Sequence, residues 1–327
     1  MSSINTNVAA MTALQTLAQT NKELLVTQNR VSTGLKVKDA SDNAAYWSIA
    51  TTMRSDRAAV STVEDALGLG AATIEVAVTA LNSAIETITK IKAKLVAARA
   101  PGLDRGKIQS EIAELQAELR NTAGSAVFSG ENWLQGDSGG PSTKTIVASF
   151  SRDSTGSITI GTIEINIGPS GTMLFDTGTG SAAGILDSVA TYAIASGTVT
   201  YSVAGVGTGI DISAITDDPT DLLGLEAMVD GVDAALNTMT DAATLLGAAK
   251  SRTSLQKDFV NKLMDSIDTG IGQLVDADMN EESTRLQALQ VRQQLGVQAL
   301  GIANQSAQMI LRLFQSFNKQ QTPEPER

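Results

Sequence analysis

The chain is 327 residues long, carries a formal net charge of −11, and contains neither cysteine nor histidine. That length exceeds one simple core and points to two or three domains, while the acidity argues against general binding to nucleic acid or to an anionic membrane. The missing residue types remove disulfides, thiolate and imidazole metal sites, and Ser-His-Asp or Cys-His catalysis, so neither enzymatic activity nor a cofactor is expected.

Residues 4–35 interleave two heptad rows. One runs Leu14, Leu17, Asn21, Leu24, Gln28, Val31 and Leu35; its neighbour runs Ile4, Met11, Ala18 and Leu25. Steps of three and four place each row on one stripe of a helix. The stretch has no charged segment leading into a continuous apolar one, so a Sec signal is not expected. No run of about eighteen apolar residues occurs, so no membrane span is expected either. Residues 36–56 break the pattern with a polar turn. Ser41 or Asp42 suits the N-cap of a helix beginning near Asn43, and Tyr46 and Trp47 are expected to anchor the turn to a core.

Residues 57–98 carry Leu67, Ala71, Ile74, Val78, Leu81, Ile85, Ile88, Lys92 and Leu95 at a 3.5-residue period, which predicts a coiled-coil rod on the order of 60 Å long. Pro101-Gly102 ends it. Ile108, Ile112, Leu115 and Leu119 predict an antiparallel return helix. From Phe128 to about residue 215 the composition turns to Gly, Ser and Thr, with β-branched alternations at 157–160, 162–167 and 198–203 that predict short strands. Residues 121–240 hold thirteen acids against two bases, Lys144 and Arg152, so this insert presents a solvated surface. Asp217, Asp218 and Asp221 read as a loop capping the next helix rather than as a cation site.

Helix returns over 219–280, with Val229, Val232, Leu236, Met239, Ala243 and Leu246 on one stripe. After a register shift come Leu255, Phe259, Leu263, Ile267, Ile271 and Leu274. The last helix, 285–317, aligns Leu286, Leu289, Val297, Leu300, Ala307, Leu311 and Phe314, with Gln293 and Asn304 on the same stripe. A seam with spaced amides belongs to helices that associate in a defined register. Residues 283–320 hold four bases and no acid. The fold class is therefore mainly α: an elongated antiparallel coiled-coil bundle formed by the N- and C-terminal halves, with a small β-rich inserted outer domain. Two terminal helices cannot cover both stripes on all sides, and long exposed apolar strips are association surfaces. Contacts between copies that do not close into a ring build a helical filament. The expected polymerisation interface is Ile4, Val8, Met11, Leu14, Leu17 and Leu24 from one end, with Leu289, Leu300, Ala307, Leu311 and Phe314 from the other.

Several motifs, in order, resemble bacterial flagellins. Ser3-Ile4-Asn5-Thr6-Asn7 is similar to the start of the family. Asn29-Arg30-Val31-Ser32-Thr33-Gly34-Leu35 with Ala40-Ser41-Asp42-Asn43-Ala44-Ala45 resembles its N-terminal signature. Phe128-Ser129-Gly130-Glu131-Asn132-Trp133-Leu134 resembles the segment closing the N-terminal half, and Asn304-Gln305-Ser306-Ala307-Gln308 lies where flagellins carry a similar amide-rich stretch. Tyr46-Trp47 and the following residues resemble the rhizobial and agrobacterial group. The resemblance covers about 1–136 and 225–317. It implies a filament subunit of the extracellular bacterial flagellum. It also implies a polymerisation core from 1–40 with 285–327, a rod from 41–135 with 225–284, and a variable outer domain at 136–224. The implied partners are further copies of the chain, an export chaperone and type III export apparatus, and hook-associated and cap proteins. Residues 29–50 correspond to the segment that host flagellin receptors detect. Asn29, Arg30, Ser32, Gly34, Asp42, Asn43, Tyr46 and Trp47 carry that likeness, and Tyr46 in place of the usual glycine implies weakened recognition. The competing readings are a hook–filament junction protein and a coiled-coil rod that does not polymerise. The tail 320–327, with Pro323 and Pro325, departs from the family, whose members usually stop after the apolar helix.

Overall fold

The computed structural model describes residues 7–320 other than 154, 170, 179–182, 195–196 and 206–208, and it leaves out the side chains of 192–194, 197, 199, 307, 310, 311 and 313–320. Long helices dominate: α1 (Val8–Thr33), α2 (Ala44–Ala97), α3 (Arg105–Ser125), α4 (Pro219–Val275) and α5 (Met279–Gln320). Between α3 and α4 lie the short strands β1 (Val127–Phe128), β2 (Glu131–Asn132), β3 (Gln135–Gly136) and β6 (Phe175–Asp176), and the longer β4 (Thr143–Arg152), β5 (Ile158–Asn166), β7 (Ala190–Ile194) and β8 (Gly197–Tyr201). The contacts divide the chain into two compact units, residues 1–55 with 266–327, and residues 56–265.

In the first unit α1 and α5 pack antiparallel. Asn7 starts α1 by accepting the Ala10 amide on its side chain at 3.1 Å, and Gly34 ends it in the left-handed region at φ 72°. Below the pair, Leu35 bridges to Asp276, and the amides of Lys36 and Val37 donate to the Val275 carbonyl at 2.7 and 3.2 Å. Val37, Ala50, Ile271 and Val275 form a small core there. The cap of α2 is Asn43, whose side chain accepts the Ala45 and Tyr46 amides at 3.1 Å. Asp42, expected as that cap, turns back and accepts the Lys38 amide at 2.9 Å. Tyr46 and Trp47 are not core anchors: they stand 43 % and 37 % exposed. Ala50, one turn further along α2, is buried on the same side, while the two aromatics in the first turn stay partly open to solvent.

In the second unit a continuous core runs along α2, α3, α4 and the insert. Its α2 stripe is Leu67, Gly70, Ile74, Ala77, Leu81, Ala84, Ile88, Ile91 and Leu95, all buried, and Ala98 just past the helix end continues it. The 3.5-residue period selects a flank of that stripe, Ala71, Val78, Ile85 and Lys92, which is only half-buried. Small residues hold the true centre because other elements press close there. On α4 the covered row is likewise Leu225, Met228, Val232, Ala235, Met239, Ala242 and Leu246, continuing through Thr253 to Val260 without the expected register shift. Leu255 and Phe259, placed on the stripe by size, are 68 % and 56 % exposed. By length and composition α2 could cross a membrane, a property the run-length criterion misses; here one face builds the core while Glu64, Asp65, Glu75 and Glu86 lie off it.

The alternations at 157–160 and 162–167 belong to one strand, β5, paired antiparallel with β4. The pairing shifts register between Val147 and Ser149, opposite Gly161. Ile146 of β4 seats over Gly70 of α2, where an added Cβ would stand 2.6 Å from its Cδ1. Farther along, Gln256 donates to the Ala148 carbonyl at 2.9 Å, and Arg152 pairs with Asp56 at 2.8 Å. Tyr201 of β8 lies against Gly231 of α4 and donates to the Ala227 carbonyl at 2.9 Å. Asp218 accepts the Thr220 amide at 2.8 Å, Asp217 pairs with Arg105 at 2.5 Å, and Asp221 accepts from Thr216 at 2.6 and 2.7 Å. Asp218 and Asp221 thus serve the start of α4, whereas Asp217, expected with them, ties the turn to the start of α3.

Candidate assembly surface

The α1–α5 seam is narrow and mixed in chemistry. Thr20, Leu24 and Thr27 of α1 and Leu289 of α5 are buried in it. Gly296 lets the backbones close in: an added Cβ would lie 3.2 Å from Leu17 Cδ1. Polar pairs mark the register at three levels. Asn7 donates to the Ala303 carbonyl at 2.9 Å, Gln293 donates to Asn21 at 2.8 Å, and Arg30 pairs with Glu282 at 2.9 Å. Glu282 is buried and also accepts from Arg285 at 3.3 Å. A buried carboxylate held by two guanidiniums tolerates little displacement.

The expected interface residues separate into three groups. Leu24 and Leu289 are buried within the chain's own seam, and Leu17 and Leu300 are half-covered by it. Val8, Met11 and Leu14 point away, 66 %, 65 % and 59 % exposed. Ile4 and the side chains of Ala307, Leu311 and Phe314 lie outside the described residues. The expected interface leaves out Leu25, although it stands in the second heptad row with Met11, together with Val26 on α1 and Val291, Leu295 and Ile302 on α5, all of them exposed on the outer face. The signal is present in the sequence: Thr20, Thr27 and Gly296 are small enough for a close crossing, which turns larger neighbours outward.

Among the receptor-like residues, Asn29 and Ser32 are exposed, Arg30 is engaged with Glu282, and Gly34 closes α1. Asp42 and Asn43 are occupied with backbone amides as described above. The Ser41 hydroxyl, with its amide, holds the Asp39 carboxyl below its ordinary pKa.

A groove of about 540 Å³ opens beside the seam, with Lys22, Arg30, Arg285 and Arg292 on its walls and Val26 and Leu289 within it. Glu23 is its acidic lining residue, 4.0 Å from Arg292. Among the described residues no group of carboxylates is arranged to hold a metal.

Comparison with known proteins places these helices. The bacterial flagellin N-terminal helical region matches residues 4–138, and the C-terminal helical region matches 229–314. Flagellin C of Rhizobium meliloti (strain 1021) is 50% identical over 323 residues, covering 96% of this chain and 100% of that protein. Flagellin A of the same strain is 44% identical over 396 residues, with the same coverage. A flagellin of Brucella melitensis biotype 1 is 44% identical over 316 residues, covering 96% of this chain and 99% of that one. Among solved structures, a putative flagellar hook-associated protein from Vibrio parahaemolyticus gives a TM-score of 0.46 at 13% identity, over 72% of this chain and 100% of that one.

Proposed function

The chain belongs to the bacterial flagellin family, a structural subunit of the extracellular flagellar filament, and from that premise we infer that the outward faces of α1 and α5 are where copies join. The observation that carries this reading is the row Val8, Met11 and Leu14 on α1, exposed beside a seam that already buries Leu24 and Leu289. Each such side chain gains roughly 1.5–3 kcal/mol when a neighbour covers it. One chain leaves the row to solvent; a helical stack of chains covers it. Ile4, Ala307, Leu311 and Phe314 extend the same interface toward the chain ends. On this reading residues 1–40 with 285–327 form the polymerisation core, 41–135 with 225–284 form the rod, and 136–224 form the variable outer domain.

Before assembly the same faces need a cover, which is the role of an export chaperone on α5, ahead of passage through the type III apparatus. Hook-associated and cap proteins meet the two ends of the filament. Host receptors read residues 29–50 weakly, because Tyr46 stands where the family usually carries glycine and Asn43 where it carries a second aspartate. A synthetic 29–50 peptide that triggers a full oxidative burst in leaves would overturn that last point.

The experiment for the main reading is seeded growth. Purified chain warmed with sheared filament seeds elongates into rods seen by electron microscopy. Met11→Asp with Leu14→Asp keeps the monomer's helicity and stops elongation. Normal rods from that variant would remove α1's outer face from the interface.

A further inference from the structure

The α1–α5 unit is electrically polarised along its length, and its two charged regions are opposite in sign. At one level stands the groove of Lys22, Arg30, Arg285 and Arg292. Arg30 and Arg285 share Glu282, Arg292 has Glu23 only at 4.0 Å, and Lys22 has no ion pair among the described residues. Beyond this level the sequence from Ser283 to Gln320 contains no acid, and neither do the residues from Asn7 to Lys22. At the other pole the turn after α1 and the entry to α5 form a collar with Asp39, Asp42, Asp276, Asp278 and Glu281 all exposed. Its cations are Lys36 and Lys38, and Arg285 reaches Glu281 at 3.0 Å. The apolar parts match as well. Met279 stands 43 % exposed between the collar carboxylates, and Val26 stands 48 % exposed in the groove.

Within one chain groove and collar adjoin at the Arg285–Glu281 pair, while Lys22 and Arg292 stand at the groove's far end. At about 1.5 Å per helical residue, Arg292 and Asp278, which caps α5, are roughly 20 Å apart along the helix axis, so Arg292 does not reach Asp278 or Asp276 in its own chain. We propose that the cationic groove of one copy receives the acidic collar of a second copy, with Asp276 and Asp278 facing Lys22 and Arg292 and with Met279 seated on Val26. This rests on the assembly reading above and adds to it a partner surface, a polarity and a stagger of about 20 Å between neighbouring copies. The contact is heterologous: each copy offers its groove to one neighbour and its collar to another, so the array grows without closing. Desolvation between helices strengthens such pairs, and their long-range component sets the rate at which a subunit finds the growing end.

Two experiments on the full chain test this. In the first, Lys22→Glu/Arg292→Glu and Asp39→Lys/Asp276→Lys are compared with wild type for elongation from wild-type seeds at low salt, after circular dichroism confirms unchanged monomer helicity. Each variant alone elongates at least tenfold more slowly. Mixed one to one they recover, because the acidic groove of one then meets the basic collar of the other. Wild-type rates from either variant alone, or no recovery in the mixture, overturn the proposal. In the second, Lys22→Cys and Asp276→Cys are introduced in separate chains, which a cysteine-free sequence permits without background. Each removes a single charge. Filaments of the mixture, mildly oxidised, give disulfide-linked dimers that neither chain gives alone, since a disulfide requires Cα atoms within about 7 Å. Fully formed mixed filaments without such dimers overturn the proposal. Failure of the wild-type chain to elongate would instead overturn the assembly reading itself.

Discussion

Gln293 on α5 donates a 2.8 Å hydrogen bond to the side-chain carbonyl of Asn21 on α1, joining residues 272 positions apart. Both side chains are half-buried in the seam, between the levels of the Asn7–Ala303 bond and the Arg30–Glu282 pair. Apolar packing alone permits the two helices to slip by a turn, whereas this amide pair is satisfied in one register. Asn21→Leu or Gln293→Leu each strands the partner amide and costs about 1–2 kcal/mol. The double replacement costs less than the sum, with a coupling of about 1 kcal/mol. Amide hydrogen exchange along α1 checks this: each single variant exchanges roughly tenfold faster, since 1.4 kcal/mol corresponds to a factor of ten, and the double variant exchanges well below the roughly hundredfold that additivity would give.

Gly70 is the notch that lets the β4–β5 hairpin lie on α2. An added methyl would stand 2.6 Å from Ile146 Cδ1 and 2.7 Å from its Cγ2. Helix propensity alone would make Gly70→Ala favourable by about 1 kcal/mol. Overpacking of a filled core costs about 1–3 kcal/mol and outweighs it. Gly70→Ala therefore lowers the urea midpoint of the chain, and adding Ile146→Ala restores part of the loss. A Gly70→Ala chain more stable than wild type would show that the hairpin does not press on α2.

These two sites also show what the sequence could reveal. Helices, their order and the antiparallel pairing of the ends were legible because Leu, Ile and Val recur at steps of three and four. Which flank of each stripe faces inward was not. Gly70, Ala77 and Ala84 hold the centre of α2, and periodicity in large residues passes over them. Strand β4 escaped for a related reason: its residues Thr143 to Arg152 alternate weakly, and its partner is set by the bulge opposite Gly161 rather than by local pattern. At the assembly surface, the Asn21 and Gln293 amides were visible as stripe residues, whereas the outward turn of Leu25, Val26 and Leu295 follows from how closely Gly296 lets α1 approach.

In the insert, two neighbouring carboxylates shift in opposite directions. Ser138, together with the Gly178 and Ala183 amides, holds Asp176 below its ordinary pKa of 3.8. Burial pushes Asp187 above that value, and the nearby Asp176 charge adds to the rise while Arg120 opposes it. Asp176 therefore contributes stability that is present above its ordinary pKa and is lost as pH falls through its lowered folded value. Asp187 acts with the opposite sign: as pH rises from the ordinary value through its raised folded value, the unfolded chain releases its proton first and the fold weakens. Asp187→Asn keeps an oxygen for the Asp176 amide, which now donates to it at 2.7 Å, and removes the desolvated charge. Urea midpoints measured from about pH 3 to pH 7 should show the Asp187→Asn chain losing that decline, with the gain over wild type largest at neutral pH. Asp176→Asn should be weaker than wild type at neutral pH and converge with it in acid.

Ser129 is the non-glycine residue with positive φ among the described residues, at 52°, and Gly130 follows at 82°. Between them they make the two-residue turn of the β1–β2 hairpin, in which Val127 faces Asn132 and Phe128 faces Glu131. Two successive left-handed residues form the turn whose twist suits a tight hairpin, and Asn-Gly is its preferred pair. Serine tolerates that conformation less well than asparagine. The turn matters because Asn132 just beyond it binds the end of α3: its amide donates to the Ala123 carbonyl at 2.7 Å, and its carbonyl accepts the Leu134 and Gln135 amides at 2.9 and 3.0 Å. Relieving the strain at Ser129 thus tightens the corner where the helical core passes into the insert. Ser129→Asn should raise stability by about 0.5–1 kcal/mol, read as a higher urea midpoint at unchanged slope. Asn132→Ala should cost about 2–3 kcal/mol through its three lost bonds, and the two changes together should fall close to wild type minus most of that loss. If Ser129→Asn lowers the midpoint, the turn is not the strained element and the corner is held by Trp133 and Leu134 packing alone.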